Sequence, residues 1–221
     1  ARSQRARLYR NHQTSRFLSA AELGSLDDCL QQGWQKGWHV VLCADYEFGL
    51  PLLRLPADTP GHLALHWFAD CTEPENPQAW LQSQYRADEP AGISTPQNDT
   101  SETSYLDTVA AIQAAIARGE TYQINYTTRL HLQSYGSPVR LYQRLRQPVP
   151  YGALLHLPDA AAQAQWTLCF SPELFLDIAS DGLVKTEPMK GTAPVLNDGN
   201  DEARARALQA DTKNRAENIM I

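Results

Sequence analysis

Three short stretches of this sequence carry residue types that could do chemistry. In Pro188-Met189-Lys190-Gly191-Thr192 a proline and a glycine bracket one lysine between a strand and a loop. Gly191 allows close approach of backbone and ligand and leaves its amide free to donate. A lysine there can act as a nucleophile if burial or neighbours depress its pKa. In Phe170-Ser171-Pro172-Glu173 an apolar strand delivers a carboxylate at a Ser-Pro turn and then resumes as Leu-Phe-Leu-Asp-Ile. A turn at Asp181-Gly182, roughly midway, would bring Glu173 and Lys190 towards one end of a sheet, where they would suit general-acid and nucleophile roles. In Asp211 to Ile221, Glu217 stands one helical turn from Lys213 beside an apolar tail. An inward-facing helix carboxylate of this kind can ligate Mg²⁺, usually with waters and one more carboxylate.

Taken one at a time, each has an ordinary reading. Roughly nine lysines in ten in such a setting are solvated surface residues. Glu173 reads equally as a glutamate on a surface turn. Lys213 and Glu217 read as a helix pair worth about 0.2–0.5 kcal/mol.

The elements that must position these groups are legible by period. Asp27 to Gln35 reads as a short helix, Trp38 to Ala44 and His62 to Phe68 as strands, and Trp80 to Tyr85 as helical. Arg86 to Glu102 is poor in large apolar residues and rich in turn formers, and reads as a surface linker. A helix follows, with Ser104 and Asp107 at capping-box spacing, Leu106, Val109, Ile112 and Ile116 on one face, and Gly119 just past its end. Tyr122 to Leu132 alternates as a strand. Ser137-Pro138 starts a helix through Arg146. Ala153–Leu157, Trp166–Phe170, Leu174–Ile178 and Leu183–Glu187 read as strands, and Glu202 to Ile221 as helical. The order is mixed rather than regularly alternating, which predicts an α+β fold with mixed or antiparallel sheets flanked by helices.

Composition bounds the function classes. The 221 residues are 43% hydrophobic and 20% charged, ordinary for one or two globular domains. The net charge of −6, with signs interspersed, lacks the basic stripe of a nucleic-acid partner. Arg204 and Arg206 read as the solvated face of a helix. No apolar run reaches the roughly 18 residues of a membrane span, and the first ten residues lack a secretory apolar block. They read as the remains of a longer N-terminus, and a cytoplasmic location is expected. Cys29, Cys43, Cys71 and Cys169 form no CxxC pair.

The three stretches gain meaning from their order. Ser-Pro-Glu, a strand pair, Pro-x-Lys-Gly-Thr-x-Pro, and Asp-x-Lys-x-x-x-Glu-x-x-Met together resemble the chorismate-binding enzymes. Gly119-Glu120-Thr121-Tyr122-Gln123-Ile124-Asn125, running to Arg129, is similar to a further element of that family. So are Pro150-Tyr151 and Tyr46-Glu47-Phe48-Gly49. The resemblance covers Tyr105 to Ile221 most fully. Within the family, anthranilate synthases carry alanine where Lys190 stands, and aminodeoxychorismate synthases (component I) carry lysine.

The resemblance implies a site and a reaction. Mg²⁺, held by Glu217, would bind the ring carboxylate of chorismate. The Lys190 amine would add at ring carbon 2, shifting the diene so that the 4-hydroxyl, protonated by Glu173, leaves as water. Ammonia, delivered by a glutamine amidotransferase partner, would then add at carbon 4 and expel the lysine. Gly191 and Thr192 would line the substrate's carboxylate region. Hydroxide is a poor leaving group, so an acid is needed, and a covalent adduct splits one hard displacement into two.

Two positions depart from the family: Glu187 and Val195 stand where arginine is common. The family's later part, with a second metal carboxylate, a histidine, an arginine and a glycine-rich carboxylate site, has no counterpart here. The expectation is therefore an N-terminal subdomain over 1–95 and a truncated first part of the catalytic domain over 96–221, inactive and poorly soluble alone. Some relatives are fused to a lyase. Tyr46 and Tyr151 lie in elements that hold tryptophan in some members, although core aromatics are the simpler reading. Anthranilate or isochorismate synthase, a non-catalytic fragment and an unrelated lysine-dependent lyase stand as the alternatives.

Overall fold

Leu26, Cys29, Leu30 and Gly33 recur at helical spacing, and in the computed structural model they form the inner face of a helix laid on a sheet. The structure describes residues 6–145, 150–189 and 191–219. Two compact units emerge, 1–145 and 146–221, with all strand pairs among the described residues antiparallel. The class is α+β, as expected.

In the first unit, β1 (Leu8–Leu18), β2 (His39–Ala44) and β3 (Leu63–Thr72) form a sheet in the order β1-β3-β2. Helix α1 (Leu26–Gln35) covers one face, closing a core of Leu18, Cys29, Leu65 and Trp67. Ala64, His66 and Phe68 alternate onto the other face and are buried too. His66 shares the Ser15 hydroxyl with His12, each ring nitrogen 2.8 Å from Oγ. Burial, with His12 nearby, pushes the His66 imidazole below its ordinary value.

The rest of this unit is smaller: α2 (Tyr46–Leu52), α3 (Pro77–Gln82), β4 (Ala91–Ile93), β5 (Gln97–Asn98), α4 (Glu102–Ala117), β6 (Leu130–His131), β7 (Ser134–Gly136) and α5 (Pro138–Leu145). Here several expectations change. The 86–102 linker contains β4 and β5, whose partners β7 and β6 lie across the expected 95/96 division and tie its two sides together. The cap of α4 is Ser101, whose hydroxyl accepts from Ser104 N–H at 3.2 Å, rather than Ser104 itself. Gly119 closes the helix as expected, at φ +75°. Of the strand read over 122–132, only Leu130–His131 is paired, because Gln97–Asn98 offers just two residues of ladder. Strand β1 went unread because its polar residues obscure the alternation. Tyr46 is 79% exposed and so is no core aromatic.

In the second unit, β8 (Tyr151–Pro158) pairs with β9 (Ala164–Ser171), and β10 (Leu174–Ile178) with β11 (Val184–Glu187). Helices α6 (Asp201–Ala210) and α7 (Thr212–Ile219) follow. They break at Asp211, whose extended backbone ends α6 and whose carboxylate accepts from Asn214 N–H at 2.8 Å to begin α7. No described helix is long and apolar enough to cross a membrane.

The core makes a specific claim about space. A Cβ at position 33 would overlap the ring of buried Trp67, meeting Cη2 first. Gly33→Ala gains about 1 kcal/mol of helix propensity but forces a packed indole to move, an overpacking cost of about 1–3 kcal/mol. With outright overlap the cost dominates, so urea unfolding should show net destabilisation. Gly49→Ala in α2, with nothing within 4 Å, should be neutral or stabilising in the same assay.

Candidate active site

Strands β10 and β11 are joined by a tight turn. Gly182, at φ +85°, takes a conformation that costs an L side chain strain, and its N–H donates to the Ala179 carbonyl at 2.9 Å. The Asp181 carboxylate accepts from Leu183 N–H at 3.0 Å and braces the turn. Ile178 opposes Val184 and Asp177 opposes Lys185. The register then shifts so that Leu174 opposes Glu187. The irregularity lies near the end that carries Glu173, and such bulges re-aim side chains. Because Leu174 faces Glu187, Glu173 and the Pro188-Met189 segment leave the hairpin at the same end.

The Glu173 turn is held from within. The Ser171 hydroxyl donates to the Glu173 carbonyl at 2.9 Å and accepts from the Glu173 N–H at 3.4 Å. The Glu173 residue is exposed. Tyr151, directly across the β8–β9 ladder from Ser171, donates its phenol to the Glu187 carboxylate. Glu187 also meets Lys185 Nζ at 2.6 Å. One tyrosine therefore joins the two hairpins at the end where Glu173 and residue 188 emerge.

Beyond β11, Gly191 sits at φ +67°, against the Asn214 side chain of α7. The loop that follows is clamped by Arg204. Its Nε donates to the Pro194 carbonyl at 3.1 Å, and Nη2 reaches both Asp198 and Asp201 at 2.5 Å. Asp201 in turn accepts from the Leu196 and Asn197 amides at 2.9 Å. Arg204 thus serves as a loop anchor rather than the solvated face expected of it, its side chain being 23% exposed. Arg206, 72% exposed and paired with Glu202, is the solvated one. The Arg204 guanidinium holds both Asp198 and Asp201 below the usual carboxylate range.

Of the residues singled out by sequence, Glu173 and the loop at Gly191 depart from adjoining strand ends, and Gly191 touches the helix that carries Glu217. Thr192 is exposed. Lys190 lies outside the described residues. Glu217 is mostly buried, with a side chain 19% exposed, and pairs with Lys213 at 3.8 Å, so the ordinary helix pair is present. Among the described residues no group of three His, Cys, Asp or Glu could hold a metal. A Mg²⁺ ion at Glu217 would need further oxygen ligands beside this one carboxylate. Sequence reading missed the Tyr151–Glu187 link and the Arg204 clamp. The first joins residues 36 positions apart and left no local signal, whereas the second shows in the three-residue spacing of Asp198, Asp201 and Arg204.

Comparison with known proteins adds a family. The family described as chorismate binding enzyme matches residues 2–221. An aminodeoxychorismate synthase of Streptomyces pristinaespiralis is 37% identical over 120 residues, 53% of this chain and 16% of that protein. Aminodeoxychorismate synthase component 1 of Salmonella typhimurium is 34% identical over 128 residues, 57% of this chain and 27% of that protein. An anthranilate synthase component 1 of Haloarcula marismortui is 34% identical over 144 residues, 64% of this chain and 27% of that protein. The matched regions thus span about a quarter or less of these relatives. No solved structure matches the chain.

Two outcomes follow from the geometry. Gly191→Ala places a side chain in the left-handed region, at a cost of about 1–2 kcal/mol. The tip of Asn214, 2.6 Å from the new Cβ, can turn aside. Denaturant unfolding should therefore show the loss, and adding Asn214→Ala should recover less than half of it; full recovery would assign the cost to the clash. The Asp198 and Asp201 carboxyls have folded pKa values below their unfolded ones. Their contribution is present above the ordinary carboxylate value and lost as pH falls through the depressed one. Arg204→Met should therefore move acid-induced loosening of the 194–198 loop to higher pH, read by hydrogen exchange, whereas coincident acid profiles would discount the clamp.

Proposed function

Because the chain belongs to the chorismate-binding enzymes, we propose that it carries part of a site that aminates chorismate to 4-amino-4-deoxychorismate, with Lys190 as nucleophile and Glu173 as acid. The observation that carries this reading is the Leu174–Glu187 pairing. It sends the exposed Glu173 and the Pro188-Met189 segment out of one hairpin end, which supports a reading in which the acid and the following lysine act on one ring.

In the proposed reaction the Lys190 amine forms a bond to ring carbon 2, the diene shifts, and the 4-hydroxyl leaves as water with a proton from Glu173. Ammonia then bonds to carbon 4, the electrons return, and the carbon–nitrogen bond to Lys190 breaks. Gly191 and Thr192 would meet the substrate's carboxylate through their amides. Ammonia would come from a glutamine amidotransferase partner. The assignment of Mg²⁺ to Glu217 rests on motif resemblance alone, and no step is routed through it. Relatives of both aminodeoxychorismate and anthranilate synthase type match this chain. Lysine rather than alanine at position 190 favours the former.

The test uses the full gene product with chorismate, ammonium and Mg²⁺. Lys190→Ala should abolish amination, and intact-mass measurement without ammonia should show an adduct on wild type that the variant lacks. Glu173→Gln should slow turnover by about 10²–10⁴-fold. Wild-type turnover by Lys190→Ala would refute the reading.

A further inference from the structure

Glu187 is out of place for a site that takes a carboxylate-bearing substrate. It stands three residues before Lys190 in the sequence. A carboxylate facing an anionic substrate is a like-charge contact that weakens binding. The structure gives it other work. Its side chain is 22% exposed, accepts the Tyr151 phenol and is neutralised by Lys185 at 2.6 Å. The Lys185 pair is at the surface, its lysine 56% exposed, and such pairs contribute little. The Tyr151 bond is different in kind. It is partly buried, it is charge-assisted, and it joins residues 36 positions apart on separate hairpins. The same Tyr151 opposes Ser171, whose hydroxyl fixes the backbone of Glu173. One short path of contacts therefore runs from the Glu173 turn through Ser171 and Tyr151 to Glu187 at the end of β11.

We propose that Glu187 and Tyr151 are positioning residues: their hydrogen bond locks the end of β11 and so holds the Pro188-Met189 segment that leads to the nucleophile. The proposal rests on the function assigned above. It requires that breaking the bond slow the chemical step while leaving substrate affinity nearly unchanged, since neither residue binds the substrate.

The experiment uses the full gene product and follows adduct formation at Lys190 with saturating chorismate and no ammonia, alongside steady-state kcat and KM. Tyr151→Phe and Glu187→Leu should each slow adduct formation by about ten- to a hundred-fold, as small misplacements of reacting groups do. KM should stay within about two-fold. The double variant should be no slower than the slower single, because each single already removes the shared Tyr151–Glu187 bond. Glu187→Gln, which still accepts the phenol, should keep most of the rate, and Lys185→Met should change it by less than about two-fold. Hydrogen exchange over residues 184–189 should quicken in Tyr151→Phe and Glu187→Leu but not in Glu187→Gln. Rates within two-fold of wild type in the single variants, losses that multiply in the double, or a Glu187→Gln loss equal to that of Glu187→Leu would each overturn the proposal. Unchanged exchange would overturn it whatever the enzyme does. If wild type forms no adduct, the functional reading fails instead, and exchange alone judges the lock.

Discussion

The pairing of Leu174 with Glu187 is the constraint on which the candidate site depends. Side chains on a strand alternate, so a slip of one residue would turn Lys185 and Glu187 to the opposite face and carry Tyr151's partner away. Two features hold this register. The Asp181-Gly182 turn fixes one end through a glycine at positive φ and a braced aspartate. The Tyr151–Glu187 bond fixes the other. Between them the ladder shifts by one residue, which lets the exit end be aimed independently of the turn end.

The segment after the hairpin is positioned by charge rather than by apolar packing. The loop after Thr192 carries few large side chains, and exposed apolar residues such as Val195 and Leu196 do not bury it. Arg204 instead gathers the Pro194 carbonyl and two aspartates, and Asp201 returns two bonds to the loop amides. The helix that bears Glu217 is then begun by Asp211 and touches Gly191 through Asn214. Polar anchoring of this kind suits a loop beside a site, because it fixes backbone without covering it.

Much of this was legible in the sequence. The strands over Leu174–Ile178 and Leu183–Glu187, the intervening turn, the helix before Gly119 and the Ser137-Pro138 helix start all carry strong local signals, and each formed. Contacts set by register across distant segments were not legible. Tyr151 reads as an aromatic near a proline, and only folding reveals that its hydroxyl meets Glu187. The alternation of Tyr122 to Leu132 was real as a pattern, yet a strand also needs a partner, and Gln97–Asn98 pairs with two of its residues. Strand β1 failed in the opposite way: eleven residues with weak alternation became a strand because β3 offered a long ladder. Arg204 looked solvated because period alone cannot show a loop folding back over a helix's first turn.

The proposed function requires Glu173 and Lys190 to flank one substrate. The structure of the Lys190→Ala variant of the full gene product, with intact chorismate bound, tests it most directly. A Glu173 carboxyl oxygen is expected about 2.6–3.2 Å from the 4-hydroxyl, with the Cβ of residue 190 facing ring carbon 2. Chorismate bound elsewhere, or bound with Glu173 turned to solvent and residue 190 remote from the ring, would contradict it.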